Sequence, residues 1–198
     1  DKEMIRFGTN EAHLRTMVLK NGKQYQIDMH LKHNRSKGIA VNKIPMKKAS
    51  ELFGILNIVF FSPEDLNIIK NGPSERRHFL DAELCQLDKI YLSDLSNYNK
   101  ILNQRNKLLK DMVYRSELSD TLPVWDMQLA DTGKKIIRRR KQFVKELNEI
   151  VHEIHYRISG GREELFLSYE PSVSADLLEQ ELERVKPRDM KLCQTSVG

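Results

Sequence analysis

The sequence comes nearest to phosphate chemistry where glycine precedes lysine, at Gly22-Lys23 and Gly133-Lys134. A phosphate-cradling loop needs Gly-x-x-x-x-Gly-Lys-Ser/Thr, because its glycines let backbone N–H groups wrap around the anion. Here the positions five residues before those glycines hold Met17 and Gln128, and the lysines are followed by Gln24 and Lys135. Neither stretch is such a loop. No run of four apolar residues ends in Asp-Glu, the pattern that would hold a catalytic metal. His152 and His155 are three apart on a helical stretch, but no cysteine or third histidine is close in sequence, so they read as packed or solvated imidazoles. There is no Gly-x-Ser-x-Gly elbow for a nucleophilic serine. Cys85 and Cys193 lack metal-type spacing and read as two reduced thiols. The residues alone assign this chain no catalytic group, cofactor or metal.

They do offer cations. The net charge is 33 − 28 = +5, and its distribution says more than its size. Lys134-Lys135-Ile136-Ile137-Arg138-Arg139-Arg140-Lys141 places six cations in eight residues. At 100° per residue Lys134, Arg138 and Lys141 share one helix face, while Ile136, Phe143 and Leu147 share another that suits burial. Such a face, with few acids beside it in sequence, repels itself and invites an anion such as a nucleic-acid backbone; charge alone equally fits a solvated face. Arg76-Arg77-His78 is the second cluster, where Glu75 and Asp81 offer internal salt-bridge partners instead. Glu64 and Asp65 follow Ser62-Pro63 and suit the positive end of a helix.

The elements that carry these residues change character near residue 62. Before it the pattern is that of strands. Tyr25, Ile27, Met29 and Leu31 alternate with polar residues, and Asn21-Gly22 is a hairpin turn joining them to a strand around Leu14 to Leu19. Val41-Asn42-Lys43-Ile44 predicts a second tight turn with Asn42 at positive φ. Leu56 to Phe61 is almost continuously apolar and reads as a buried strand closed by Ser62-Pro63. After residue 62 the period is helical. A long helix is expected from Asp88 to Glu117, with Tyr91, Leu95, Tyr98, Leu102 and Leu109 on its stripe. A turn at Ser119 to Pro123 leads to a second, from Val124 to Ile158, with Trp125, Leu129, Ile136, Phe143, Leu147, Ile150, Ile154 and Ile158 on its stripe. Two long helices with a short joint pack antiparallel, which puts Trp125 near the joint, buried against the partner. Ser159-Gly160-Gly161 ends the second helix. A strand from Glu164 to Tyr169 follows, then a helix from Ala175 to Val185 stopped by Pro187. No stretch approaches the roughly 20 apolar residues of a membrane span. No secretory signal is seen at Asp1-Lys2-Glu3, and a cytoplasmic setting is expected.

The specific signal lies in a series of motifs. Val59-Phe60-Phe61-Ser62-Pro63-Glu64-Asp65-Leu66 is followed by Gly72-Pro73-Ser74-Glu75-Arg76-Arg77-His78-Phe79-Leu80-Asp81. Tyr98-Asn99-Lys100-Ile101-Leu102-Asn103-Gln104-Arg105-Asn106-Lys107-Leu108-Leu109-Lys110 comes next. Val124-Trp125-Asp126 with Gln128-Leu129-Ala130, and Ile158-Ser159-Gly160-Gly161 with Glu163-Glu164-Leu165, complete it. In this order the series resembles the RecF family, over essentially the whole chain. The resemblance implies an α+β fold that is part of an ABC-type ATPase head. Residues 1–61 would be the β-rich part of the ATPase lobe, 62–161 a helical arm with an antiparallel helix pair, and 162–198 a return strand and helix. It implies a phosphate-binding loop before Asp1 and a Gly-Pro-His-Arg-Asp-Asp segment from about Gly198, with the signature and second metal motifs beyond. ATP and Mg would serve the intact protein, with no cofactor held by this stretch; by order in the chain the resemblance makes Glu64 or Asp65 a catalytic candidate there, polarising water or a metal. The implied setting is DNA replication, recombination, repair and the SOS response. The implied partners are gapped or duplex DNA, bound without sequence preference, RecR and RecO, and a second copy in an ATP-dependent homodimer that helps RecA onto DNA; no membrane is implied. DNA contacts would fall to Lys134, Arg138, Lys141, Arg76 and Arg77. The alternative is a structural or protein-interaction helical module that binds no DNA of its own.

Overall fold

The computed structural model describes residues 2–197; Gly198, the expected start of the Gly-Pro-His-Arg-Asp-Asp segment, lies outside the described residues. The chain forms two compact units, Asp1–Glu75 and Arg76–Gly198.

The first unit is built on β1 (Glu11–Lys20), β2 (Lys23–Lys32), β3 (Gly38–Val41) and β4 (Ile44–Pro45), an antiparallel sheet in sequence order. Asn21 and Gly22 both take positive φ, 50° and 73°, the two-residue turn whose twist matches that of paired strands. It fixes Lys20 opposite Lys23 and every later pair, out to Glu11 opposite Lys32. Asn42 (φ 52°) turns β3 into β4 as its residue type predicts, and its side-chain oxygen accepts from Gln26 N–H at 2.8 Å. The alternation of β2 buries Ile27 and Leu31 with Ile39 and Val41 of β3 on one face. The other face carries Glu11, His13, Arg15, Asp28, His30 and Lys32.

Leu56 to Phe61 is not a buried strand. Among the described residues no strand pairs with it, and Val59, Phe60 and Phe61 are 96%, 80% and 81% exposed. Its apolar pattern is right for a covered strand, but among the described residues no ladder takes up its backbone. Ser62 then starts a 3-10 turn, Pro63–Leu66, which runs into the short helix α1 (Asn67–Lys70).

The second unit holds most of α2 (Pro73–Leu87), then α3 (Lys89–Asp111), α4 (Leu122–Ile158) and α5 (Leu178–Leu192). α3 and α4 pack antiparallel, as their stripes predict. A 3-10 turn, Ser116–Thr121, replaces the last part of the expected first helix, and Leu122 and Pro123 open α4 rather than belonging to the turn. The core joins Ile101 of α3, Leu129 and Ala130 of α4, and Leu178 and Leu182 of α5. Trp125 is half-buried against this cluster, not fully buried. Leu109, Met112 and Leu122 close the end near the joint.

The last part of the α4 stripe differs from expectation. Ile150, Ile154 and Ile158 are exposed because α3, at 23 residues, is shorter than α4, at 37, and begins beside Arg139 and Arg140. The expected strand Glu164 to Tyr169 is likewise absent. This segment meets α4 instead. Asn148 accepts from Leu167 N–H at 2.6 Å, and Phe166 stacks on His152 at 4.9 Å. Side chains of a helix thus take over the part a neighbouring strand would have played. Finally, Pro187 does not stop the last helix, which starts at Leu178 and continues to Leu192. Proline lacks the N–H that would reach back one turn, but Val185 before it and Asp189 after it are both buried and hold the helix on course.

Candidate nucleic-acid interface

α4 carries the six clustered cations on its middle turns; acids distant in sequence meet four of them, and a fifth pairs within α4. Lys134 Nζ lies 2.8 Å from Glu179 in the first turn of α5, and Arg138 donates to Asp176 just before α5, also at 2.8 Å. Lys135 bonds Asp131 one turn back. Arg139 donates to Asp88 at 2.9 Å. Arg140 grips both oxygens of Asp81 on α2, at 2.7 and 2.9 Å, and also donates to the Tyr91 hydroxyl. Lys141 is exposed and has no partner among the described residues. Few acids flank the run in sequence, yet the fold brings them in from α2, the start of α3 and the approach to α5. The sequence carries the acids but no signal of which helix they will face.

These pairs fall into two kinds. Arg140, Asp81 and Tyr91 form a half-buried knot that ties α2, α3 and α4 together. Burial, and then the hydrogen bond to Asp81, keep the Tyr91 phenol protonated well above its ordinary range. That knot is structural. Lys134 and Arg138, by contrast, meet partners that are 63% and 84% exposed. Solvated pairs of this kind contribute about 0–1 kcal/mol and are screened by salt, so a competing polyanion can displace the carboxylates. Lys134, Arg138 and Lys141 do share a side of α4, as their spacing predicts.

Arg77 lines a cavity of about 340 Å³ in the second unit, together with Asp81, Tyr98, Arg140 and Thr195. Arg76, beside it on α2, is exposed and also engaged in an interaction. Arg77 is not brought beside Lys134 by any bond among the described residues. In the first unit, Asp65 accepts from Ser62 N–H at 2.7 Å, and the Ser62 hydroxyl, ahead of the backbone N–H of Glu64 itself, draws the Glu64 carboxyl below its usual range. Both carboxylates thus serve the start of the 3-10 turn.

Gly22-Lys23 sits in the hairpin turn and Gly133-Lys134 inside α4, so neither forms the open loop of N–H groups that a triphosphate needs. These residues do not fit ATP. His152 faces Phe166 and the Leu165 carbonyl, while His155 faces Glu163 at 3.6 Å. No helix of the described residues is long and apolar enough to cross a membrane.

No protein-family model matches the chain. Individual proteins do. It is 68% identical over its whole length to the DNA replication and repair protein RecF of Agathobacter rectalis, and 57% identical to that of Lachnospira eligens, covering 55% of each. It therefore spans about 55% of the length of the curated relatives it matches. Two solved structures, of the recombination mediator protein RecF-ATPrS and of RecF-ATP in the RecFOR pathway, match with TM-scores of 0.86 and 0.85. Each is 32% identical, and the match covers 100% of this chain and 56% and 55% of theirs.

Proposed function

Because the chain belongs to the RecF family, we propose that it is the central, arm-bearing region of an ATP-dependent DNA-binding protein. That protein acts in recombinational repair of gaps and stalled forks, with RecR and RecO, in loading RecA. The reading rests above all on the whole-length match to RecF proteins and to their ATP-bound structures. ATP and Mg belong, on this reading, to parts of the head outside this stretch, and the ATP-dependent homodimer sets two arms beside one DNA. Residues 1–61 serve the ATPase lobe, 62–161 the arm, and 162–198 the way back to the head. The setting is cytoplasmic.

Within the arm, Lys134, Arg138 and Lys141 contact the duplex backbone, with Arg76 and Arg77 as the second cluster. Support comes from the exposed, displaceable pairs of Lys134 and Arg138 and from the unpartnered Lys141. Phosphate contacts position DNA without reading its sequence. In the intact protein with ATP, changing all three to Gln weakens binding to every sequence. It also flattens the salt dependence by up to about three units of slope, roughly one per lost contact. Wild-type affinity and slope in a folded variant would leave a solvated face only.

The internal carboxylate partners of Lys134 and Arg138 favour a second reading, a helical protein-interaction module without DNA binding. Salt-insensitive capture of a protein, with no gel shift on DNA, selects it. For Glu64 and Asp65 we propose a water- or metal-polarising role in the intact ATPase. Unchanged ATP turnover in the Glu64→Gln, Asp65→Asn protein leaves only the capping role their bonds to Ser62 describe.

A further inference from the structure

The polar face of the β1–β2 hairpin carries a cluster that neither the cation argument nor the family resemblance uses. Counting from the Lys20–Lys23 pair that closes the turn, successive pairs alternate between hydrogen-bonded and non-hydrogen-bonded kinds. His13 opposite His30 falls on the non-hydrogen-bonded kind, where facing side chains stand closest. Their rings stack at 3.9 Å with 21° between planes. Glu11 lies two residues along β1 and so on the same face, and its Oε2 is 3.0 Å from His30 Nε2. One ligand atom from each of the three lies within 4.8 Å of the other two. On the far side of His30 stands Gly38 of β3, which sends no side chain over the ring.

We propose that Glu11, His13 and His30 form a surface site for a divalent transition-metal ion of the zinc class, clipping β1 to β2 near the open end of the hairpin. Ligand atoms around a tetrahedral zinc lie about 3.3 Å apart, given bonds of about 2.0–2.2 Å. Ligand atoms within 4.8 Å of one another need to close by at most about 1.5 Å to reach that spacing. Two imidazoles and one carboxylate suit zinc, cobalt, nickel or copper; magnesium and calcium prefer all-oxygen shells. Three protein ligands leave a fourth position for water or for a donor from a partner. The rival for Glu11 is Lys32, whose Nζ lies 3.0 Å from the same oxygen. Arg15 is committed to Asp28 and does not compete.

The test is equilibrium dialysis of the whole chain against ZnCl2, with cobalt(II) as the spectroscopic probe. One zinc per chain is expected, and cobalt should show the visible bands of a low-coordinate site with nitrogen ligands. His13→Ala and His30→Asn should each abolish both signals while circular dichroism stays unchanged, since the two residues are exposed and half-buried and outside the core. Lys32→Met should tighten binding by freeing Glu11. Should either residue prove necessary for folding, Glu11→Gln is the alternative variant, expected to weaken affinity about tenfold or more. Zinc retained undiminished by the folded hairpin variants but lost from His152→Ala/His155→Ala would move the site to α4 and overturn the proposal. So would the absence of bound zinc at free concentrations of about 100 μM, a level at which exposed three-ligand sites should fill.

Discussion

Arg105 of α3 and Asp189 of α5, 84 residues apart, meet at 2.8 Å with both side chains wholly buried. The same guanidinium donates through Nε to Asp126 of α4 at 2.6 Å, and through Nη1 to the Thr195 hydroxyl. Asp189 also accepts from the amide and hydroxyl of Ser196. One arginine thus joins three helices and the segment after α5. Removing a single partner strands a charge away from water, which costs about 3–5 kcal/mol. Asp189→Ala should lower the urea unfolding free energy by that amount and release the Thr195 amide, held by Asn106, to rapid hydrogen exchange. A loss below about 1 kcal/mol would mean that the pair is solvated, not buried.

Gly133 inverts the usual rule for helices. Glycine inside a helix is about 1 kcal/mol worse than alanine, so Gly133→Ala ought to stabilise α4. A Cβ built there would stand 2.6 Å from Leu178 Cδ2 and 3.3 Å from the Tyr98 ring. Leu178 is 2% exposed and packed in the core, with little room to move aside. The net effect should be destabilising by about 1–3 kcal/mol, the range for overpacking. Thermal unfolding of the variant decides the sign.

The first unit was legible wherever local chemistry decides. Asn21-Gly22 and Asn42 need positive φ, and they set turn and register. That register also pairs His13 with His30, since both are eight residues from the turn, His13 before Asn21 and His30 after Gly22; the constellation could have been found by counting outward from the predicted turn. The paired helices were legible from their stripes. What failed was non-local. Phe60 and Phe61 have the pattern of a covered strand, but among the described residues no neighbouring strand pairs with them. Leu165 and Leu167 have a strand's alternation, yet Asn148 and His152 of α4 receive that segment. The acids facing Lys134 and Arg138, and the partners of Arg105, lie tens of residues away, and nothing in local pattern pairs them.

The two thiols should separate by reactivity. Burial, and then the nearby charge of Asp81, push Cys85 up to about 11, while Cys193 is partly exposed at the end of α5. At pH 8 the Cys85 thiolate is about one part in a thousand, and the thiolate is the reactive form. Iodoacetamide followed by mass spectrometry should therefore label Cys193 first. The sign for stability follows. The folded state holds the Cys85 proton more tightly than the unfolded chain does, so this contribution is intact below about pH 9. It should be lost as pH rises through about 11. Replacing Cys85 by Ala should remove that alkaline loss, at the cost of a small cavity.

Asp88 should do the opposite work at the acid end. It caps α3, accepting from the N–H groups of Ile90 and Tyr91 at 2.9 and 3.0 Å, and it takes Arg139 on its other oxygen. Burial alone would raise its carboxyl, but the Tyr91 N–H, Arg139 and the Ile90 N–H together hold it below the ordinary range. A depressed folded value means the contribution is present above the unfolded aspartate value of about 3.9 and is lost as pH falls through the lower folded one. Asp88→Ala should cost about 0.5–2 kcal/mol at pH 7, the range for a lost helix cap, and Asp88→Asn rather less, since an amide oxygen still caps. As pH falls below the folded Asp88 value, the wild type and the Asn variant should converge, because both then present an uncharged cap. Urea midpoints measured at pH 7, 5, 4 and 3 check this, and a gap between the two proteins that stays constant across the series would show that the Asp88 charge plays no part.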